Sequence, residues 1–127
     1  MSKFGHYEQQ YWGNKIKFPI ESFLIAGISH YQKSLGDIPI NTDIELFMEL
    51  EPDNIHDKTA IRILYDNNKI GYVPNKNEIK KLCLEELNEP LIIINLKREK
   101  ETINKNFGIR VIPKKYYNED MKYLSLF

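Results

Sequence analysis

The order of short strand patterns along the chain is the sequence feature that most restricts its fold. From Thr42 to Leu50 the residues alternate, with Ile44, Leu46 and Met48 on one side and mostly acidic residues on the other. Alternation with a period of two and one apolar face predicts a β-strand that lies on a core. Five further apolar segments favour strands: 22–28, 60–64, 70–73, 91–98 and 107–112.

One helix is predicted between the strand at 70–73 and the strand at 91–98. Asn75 can cap its start, and Glu78, three residues later, completes a capping box. Pro90 ends the segment, because proline cannot continue a helix. Apolar residues recur on one side of the helix at helical spacing: Ile79, Leu82, Cys83 and Leu87.

These elements favour a small closed sheet. Residues 66–69, with the sequence Asp-Asn-Asn-Lys, predict a tight hairpin turn, because Asp and Asn tolerate the left-handed conformation. Residues 32–41 and 101–106 are interpreted as loops. Closing a sheet of many short strands removes its exposed edges. We therefore expect a mainly β domain with one or two helices, built as a small six-stranded barrel related to the OB-fold.

The length of 127 residues suits a single domain. Residues 1–19 mix polar and aromatic side chains without a clear period and are interpreted as an N-terminal extension. The domain itself is expected over residues 20–113. Residues 114–127 form a C-terminal tail that could include a short helix.

Charge and cysteine content limit the classes of function. The 18 basic and 18 acidic residues cancel, which counts against a protein that coats nucleic acid by charge alone, so any such site must be a local patch. Cys83 is the single cysteine, which excludes an internal disulfide and a cysteine-based zinc site. The longest uninterrupted apolar run is Leu91 to Ile94, far too short to cross a membrane. We expect a cytoplasmic protein without a membrane partner.

Residues that could carry catalysis are few. Ser29, His56 and Asp57 could form a hydrolytic set, and His30 with His56 and Asp57 could hold a metal. However, His and Asp that are adjacent in sequence rarely orient each other usefully. The six glycines are scattered and form no phosphate-binding loop, so the 127-residue sequence includes no nucleotide-driven motor.

Glu49 and Glu51 lie two apart at one predicted strand and could share a face. A solvated strand edge explains them better than an acid–base pair. We expect no catalytic residues, no metal and no cofactor, and a binding module in place of an enzyme.

Two stretches form an ordered motif. The first is the segment 25–32, with the sequence IAGISHYQ, and the second is 51–61, with the sequence EPDNIHDKTAI, followed by Gly71-Tyr72-Val73-Pro74. The set resembles the signature of the HIRAN domain, EPxNxxDxxAI with a later IGYxP, and the resemblance covers about residues 20–113. It implies a modified OB-like barrel that binds DNA, with a preference for the free 3′ end of a single strand.

The resemblance also implies the site and its setting. Its best understood relatives place the domain in front of a helicase-like translocase that remodels stalled replication forks. By analogy, this chain would act in DNA repair or fork processing, with a partner that could supply a helicase or nuclease. The implied DNA-binding residues are Ser29, His30, Tyr31, Asn54, His56, Asp57, Lys58, Tyr72, Asn75 and Lys76.

The residue types suit a strand end. The carboxylate of Asp57 would accept a hydrogen bond from a terminal hydroxyl and repel a phosphate. His30, Tyr31, His56 and Tyr72 offer flat faces for stacking, which does not read base identity. Lys58 and Lys76 could contact backbone phosphates.

The chain departs from these relatives, which have an arginine and a tyrosine where Ser29 and His30 stand, and a tyrosine in place of His56. Structural roles are the alternative for several residues, because Asn54 and Asp57 can order a turn by themselves and Tyr72 could belong to the core. The alternative function is a protein-interaction or structural module on the same fold, without DNA binding.

Overall fold

The computed structural model describes residues 6–11, 14–28, 44–97 and 108–121. These residues form eight strands: β1 His6–Tyr11, β2 Asn14–Pro19, β3 Phe23–Leu24, β4 Glu45–Leu50, β5 Ile61–Tyr65, β6 Asn68–Tyr72, β7 Leu91–Lys97 and β8 Gly108–Pro113. One α-helix, α1 Asn77–Glu85, connects β6 to β7, and a 3-10 turn, Lys114–Tyr116, follows β8.

Six strands form one antiparallel sheet in the order β3-β8-β7-β4-β5-β6. Its two outer strands approach each other where Ala26, just past β3, pairs with Tyr72 at the end of β6. The Ala26 N–H donates to the Tyr72 carbonyl at 2.8 Å, and the Tyr72 N–H donates back at 2.9 Å. The sheet is therefore curled, which confirms the predicted mainly β, OB-like fold.

The approach of the outer strands requires a glycine at position 71. A Cβ atom there would lie 2.4 Å from Ile25 Cγ2 and 2.6 Å from the Ala26 carbonyl oxygen. No side chain fits in that space without moving backbone. Gly27, on the opposite side of the bridge, has a φ of 70°, which favours glycine.

The core lies inside the curl of the sheet. Leu46 and Met48 of β4 are buried there, as their alternation predicts, and Cys83 of α1 packs against them as a buried free thiol. Burial raises the pKa of the Cys83 thiol to about 12, so the group is an inert core residue. A second cluster covers the outside of β7 and β8 and includes residues from near both chain ends: Phe18, Ile92, Ile94, Ile112 and Met121.

Local predictions near the chain start and the helix differ from the structure. β1 and β2 pair in antiparallel register, which their aperiodic sequence does not indicate. The capping box at Asn75 was a wrong prediction, because Lys76 occupies the cap position and no side chain caps the helix there. Asn75 Oδ1 instead accepts a hydrogen bond from Lys80 Nζ at 3.4 Å.

The predicted hairpin turn between β5 and β6 is confirmed. Asp66 and Asn67 adopt positive φ values of 50° and 65°. The turn is shorter than expected, because β6 already begins at Asn68. The loops expected at 32–41 and 101–106 lie outside the described residues.

Candidate nucleic-acid interface

The loop of residues 51–60, called here the β4–β5 loop, is organised by the side chain of Asn54. Asn54 Oδ1 accepts hydrogen bonds from the backbone N–H groups of His56 at 2.9 Å and Asp57 at 3.0 Å. Asn54 Nδ2 donates to Glu51 Oε1 at 3.0 Å. Asn54 thus has the structural role that its residue type predicts, and it fixes the backbone that carries His56 and Asp57.

Glu51 lies buried at the base of this loop, with 8% of its surface exposed. The hydroxyl of Tyr72 donates to Oε1 at 2.8 Å, and Lys69 Nζ donates to Oε2 at 3.1 Å. Burial raises the pKa of Glu51, but the hydrogen bonds from Tyr72, Lys69 and Asn54 outweigh it, so the pKa lies below its ordinary value. The prediction of a solvated Glu51 was wrong, whereas Glu49 is exposed and pairs with Arg62.

Tyr72 connects the loop to the closing edge of the sheet. Its hydroxyl donates to Glu51 and accepts a hydrogen bond from Lys69 Nζ at 2.9 Å. The Lys69 ammonium also lies 5.1 Å from the centre of the Tyr72 ring. Since the backbone of Tyr72 is paired with Ala26, both ends of this half-buried residue are held. The ring therefore has a fixed position beside the loop.

Asp57 is a second hydrogen-bonded carboxylate of the loop, and 34% of its side chain is exposed. Its Oδ1 accepts from the Thr59 N–H at 2.9 Å and from the Thr59 hydroxyl at 2.7 Å. Its Oδ2 is paired with Lys80 Nζ. The hydrogen bonds from Lys80 and Thr59 lower the pKa of Asp57 to about 2. Asp57 is therefore ionised near neutral pH and can act only as a hydrogen-bond acceptor.

Lys80 joins two of the residues that the sequence suggests for the site. It projects from α1, pairs with Asp57 Oδ2 and donates to Asn75 Oδ1 at 3.4 Å. Only 14% of its side chain is exposed. Lys80 was not predicted from the sequence. The signal that could have indicated it is its spacing of one helical turn from Lys76.

The remaining sequence-predicted residues are distributed as follows. His56 and Lys58 are exposed on the β4–β5 loop, and Lys76 is exposed at the start of α1. Lys76 also borders a cleft of about 460 Å³ between β3 and α1, whose apolar walls include Phe23 and Ile79. Ser29, His30 and Tyr31 lie outside the described residues.

Two features of the described residues bear on other kinds of function. No three His, Cys, Asp or Glu side chains in this part of the chain are grouped so that they could hold a metal ion. No helix in the same residues is long and apolar enough to cross a membrane.

The curled sheet with one helix and a charged, internally bonded loop defines a small β-barrel-like module. The family model of the HIRAN domain matches residues 22–107, and the chain therefore belongs to the HIRAN family. HIRAN domains are DNA-binding modules that are not catalytic on their own. The matched range includes the β4–β5 loop, Tyr72 and α1. No curated protein and no solved structure matches the chain.

Proposed function

We propose that this chain binds the free 3′ end of single-stranded DNA, with Asp57 as the acceptor for the terminal hydroxyl. The observation that carries the proposal is the state of Asp57: a part-exposed, ionised carboxylate held in one orientation within a HIRAN fold. An ionised carboxyl group offers about four acceptor positions. Thr59 and Lys80 occupy three of them within the described residues, which leaves room for a hydroxyl donor.

The same carboxylate supplies selectivity. A strand that ends in a 3′-phosphate would bring negative charge against Asp57 and would offer no hydroxyl donor in its place. A hydrogen bond to a charged group corresponds to about tenfold to hundredfold in affinity. Selectivity for the hydroxyl end should therefore be at least of that order, since repulsion of the phosphate adds to it.

Exposed side chains around Asp57 suit the rest of a strand. His56, next to Asp57 on the loop, can stack on a base, and Lys58 and Lys76 can approach phosphates. A net charge of zero implies modest affinity that weakens further with added salt. Binding without catalysis suits a role in DNA repair or fork processing, beside a partner that supplies a helicase or nuclease.

The test compares DNA strands and matched variants by fluorescence anisotropy at low salt. Labelled strands with a 3′-hydroxyl or a 3′-phosphate are titrated with the wild type, Asp57→Asn and Asp53→Asn. Asp53 is an exposed aspartate of the same loop, so its variant repeats the charge change away from the proposed contact. The wild type and Asp53→Asn should prefer the hydroxyl end, and Asp57→Asn should lose the preference. Equal binding of both strands by the wild type would reject the 3′-end proposal.

One observation favours a second function, the binding of a protein segment. Ile20 and Leu24 are exposed large apolar residues that border the cleft between β3 and α1. Ile55 on the β4–β5 loop is 91% exposed. If no DNA end binds at low salt, protein interaction becomes the leading function of this fold.

A further inference from the structure

We infer that Lys80 is the phosphate-binding cation of the strand-end site. While Asp57 accepts the terminal hydroxyl, Lys80 contacts the phosphodiester of the same terminal nucleotide. This inference rests on the proposed function, and it assigns a ligand to a residue that the sequence motif does not include.

The contacts of Lys80 leave it able to take a phosphate. An ammonium group has three N–H donors. Within the described part of the chain, Asp57 Oδ2 and Asn75 Oδ1 take two of them. The third donor remains for a ligand that reaches the edge of the Asp57–Lys80 pair. A phosphate oxygen is a strong acceptor for such a donor.

The chemistry of a strand end places a phosphate near this ammonium. The terminal nucleotide carries its free hydroxyl and its phosphodiester on one sugar, so a hydroxyl bound to Asp57 brings the phosphate within a few ångströms of that carboxylate. Asp57 alone would repel the phosphate. Lys80 offsets this repulsion because its ammonium is in direct contact with Asp57. Lys80 also lies in the first turn of α1, where the helix dipole adds partial positive charge.

Lys80 is better prepared for this role than the exposed lysines that the resemblance implies. Its side chain is mostly buried, and its head group is held between two oxygen atoms. Lys58 and Lys76 are exposed, so a phosphate contact would have to order long side chains at a cost in entropy. A cation whose position is already fixed avoids most of that cost.

The experiment compares Lys80→Met with Lys81→Met, because Lys81 is an exposed lysine that is adjacent on the same helix. Binding of a labelled single strand with a 3′-hydroxyl is measured by anisotropy over a series of salt concentrations. Lys80→Met should weaken binding about tenfold or more. It should also reduce the slope of log affinity against log salt by about 0.7, the value for one phosphate contact on a single strand. Lys81→Met should leave both nearly unchanged, and Lys80→Arg should keep most of the slope.

Each other outcome overturns the inference in a recognisable way. Weaker binding with an unchanged salt slope would make Lys80 a positioning residue for Asp57. Binding by Lys80→Met that equals the wild type would remove Lys80 from the site while the proposed function stands. If the wild type itself binds no strand, the proposed function fails together with the inference. Thermal unfolding of each variant shows whether weaker binding reflects loss of the fold, and in that case Lys80→Arg decides through its retained slope.

Discussion

Two carboxylates of the β4–β5 loop, Glu51 and Asp57, have similar hydrogen bonds and opposite surroundings. Glu51 is buried and accepts from Asn54, Lys69 and Tyr72, which ties the loop to β6. Asp57 is one-third exposed and is held by groups from the loop and α1. Both have lowered pKa values. Burial therefore separates their roles: Glu51 supports the loop, whereas Asp57 presents a charged acceptor to solvent.

The largest effect on stability is expected for Glu51→Gln. The amide removes the charge and turns N–H donors toward the ammonium of Lys69 or the hydroxyl of Tyr72, which are donors themselves. The free energy of unfolding should fall by about 2 kcal/mol, as expected when a buried charged hydrogen bond is broken. Chemical denaturation measures it.

Glu49→Gln is the matched control, because Glu49 is exposed and loses only a surface ion pair, which contributes little. If Glu51→Gln proves as stable as Glu49→Gln, the buried Glu51 contributes no more to stability than an exposed ion pair, and burial does not distinguish its role from that of Asp57.

Local patterns predicted much of the fold, while the site depended on contacts between distant segments. The alternation of Leu46 and Met48 and the Asp66-Asn67 turn are encoded within a few residues, so β4 and the turn between β5 and β6 were predictable. The burial of Glu51 was not, because it arises from partners on β6 that follow it by about twenty residues. The pairing of Asp57 with Lys80 likewise requires α1 to pack against the loop.

A smaller effect on stability is expected for Tyr72→Phe, which removes the hydroxyl contact with Glu51 and keeps the backbone pairing with Ala26. Loss of the hydroxyl removes a donor to Glu51 and should lower the free energy of unfolding by about 1 kcal/mol. The aromatic ring remains, so DNA binding should stay close to that of the wild type. Tyr72→Leu removes the ring as well and should weaken binding further if a base stacks there. Equal losses of binding in the two variants would show that the hydroxyl link to Glu51, and not the ring, supports the site.

The smallest effect is expected for the loss of stability as the pH falls, which is also the most direct test of the comparison between Glu51 and Asp57. A carboxyl group with a lowered pKa stabilises the fold above its ordinary pKa, and this contribution is lost as the pH falls through the folded-state value. The contribution of Glu51 should fade below its ordinary value of 4.5, and that of Asp57 between 3.8 and about 2. Thermal unfolding is measured against pH in both variants. Asp57→Asn should still lose stability over the pH range of Glu51, and Glu51→Gln should still lose stability over the pH range of Asp57.

High salt should shrink the stability contribution of Asp57, because its ion pair is partly exposed, and should affect the contribution of the buried Glu51 less. Equal sensitivity to salt would mean that the two carboxylates share one environment, and the division between support and binding would then fail.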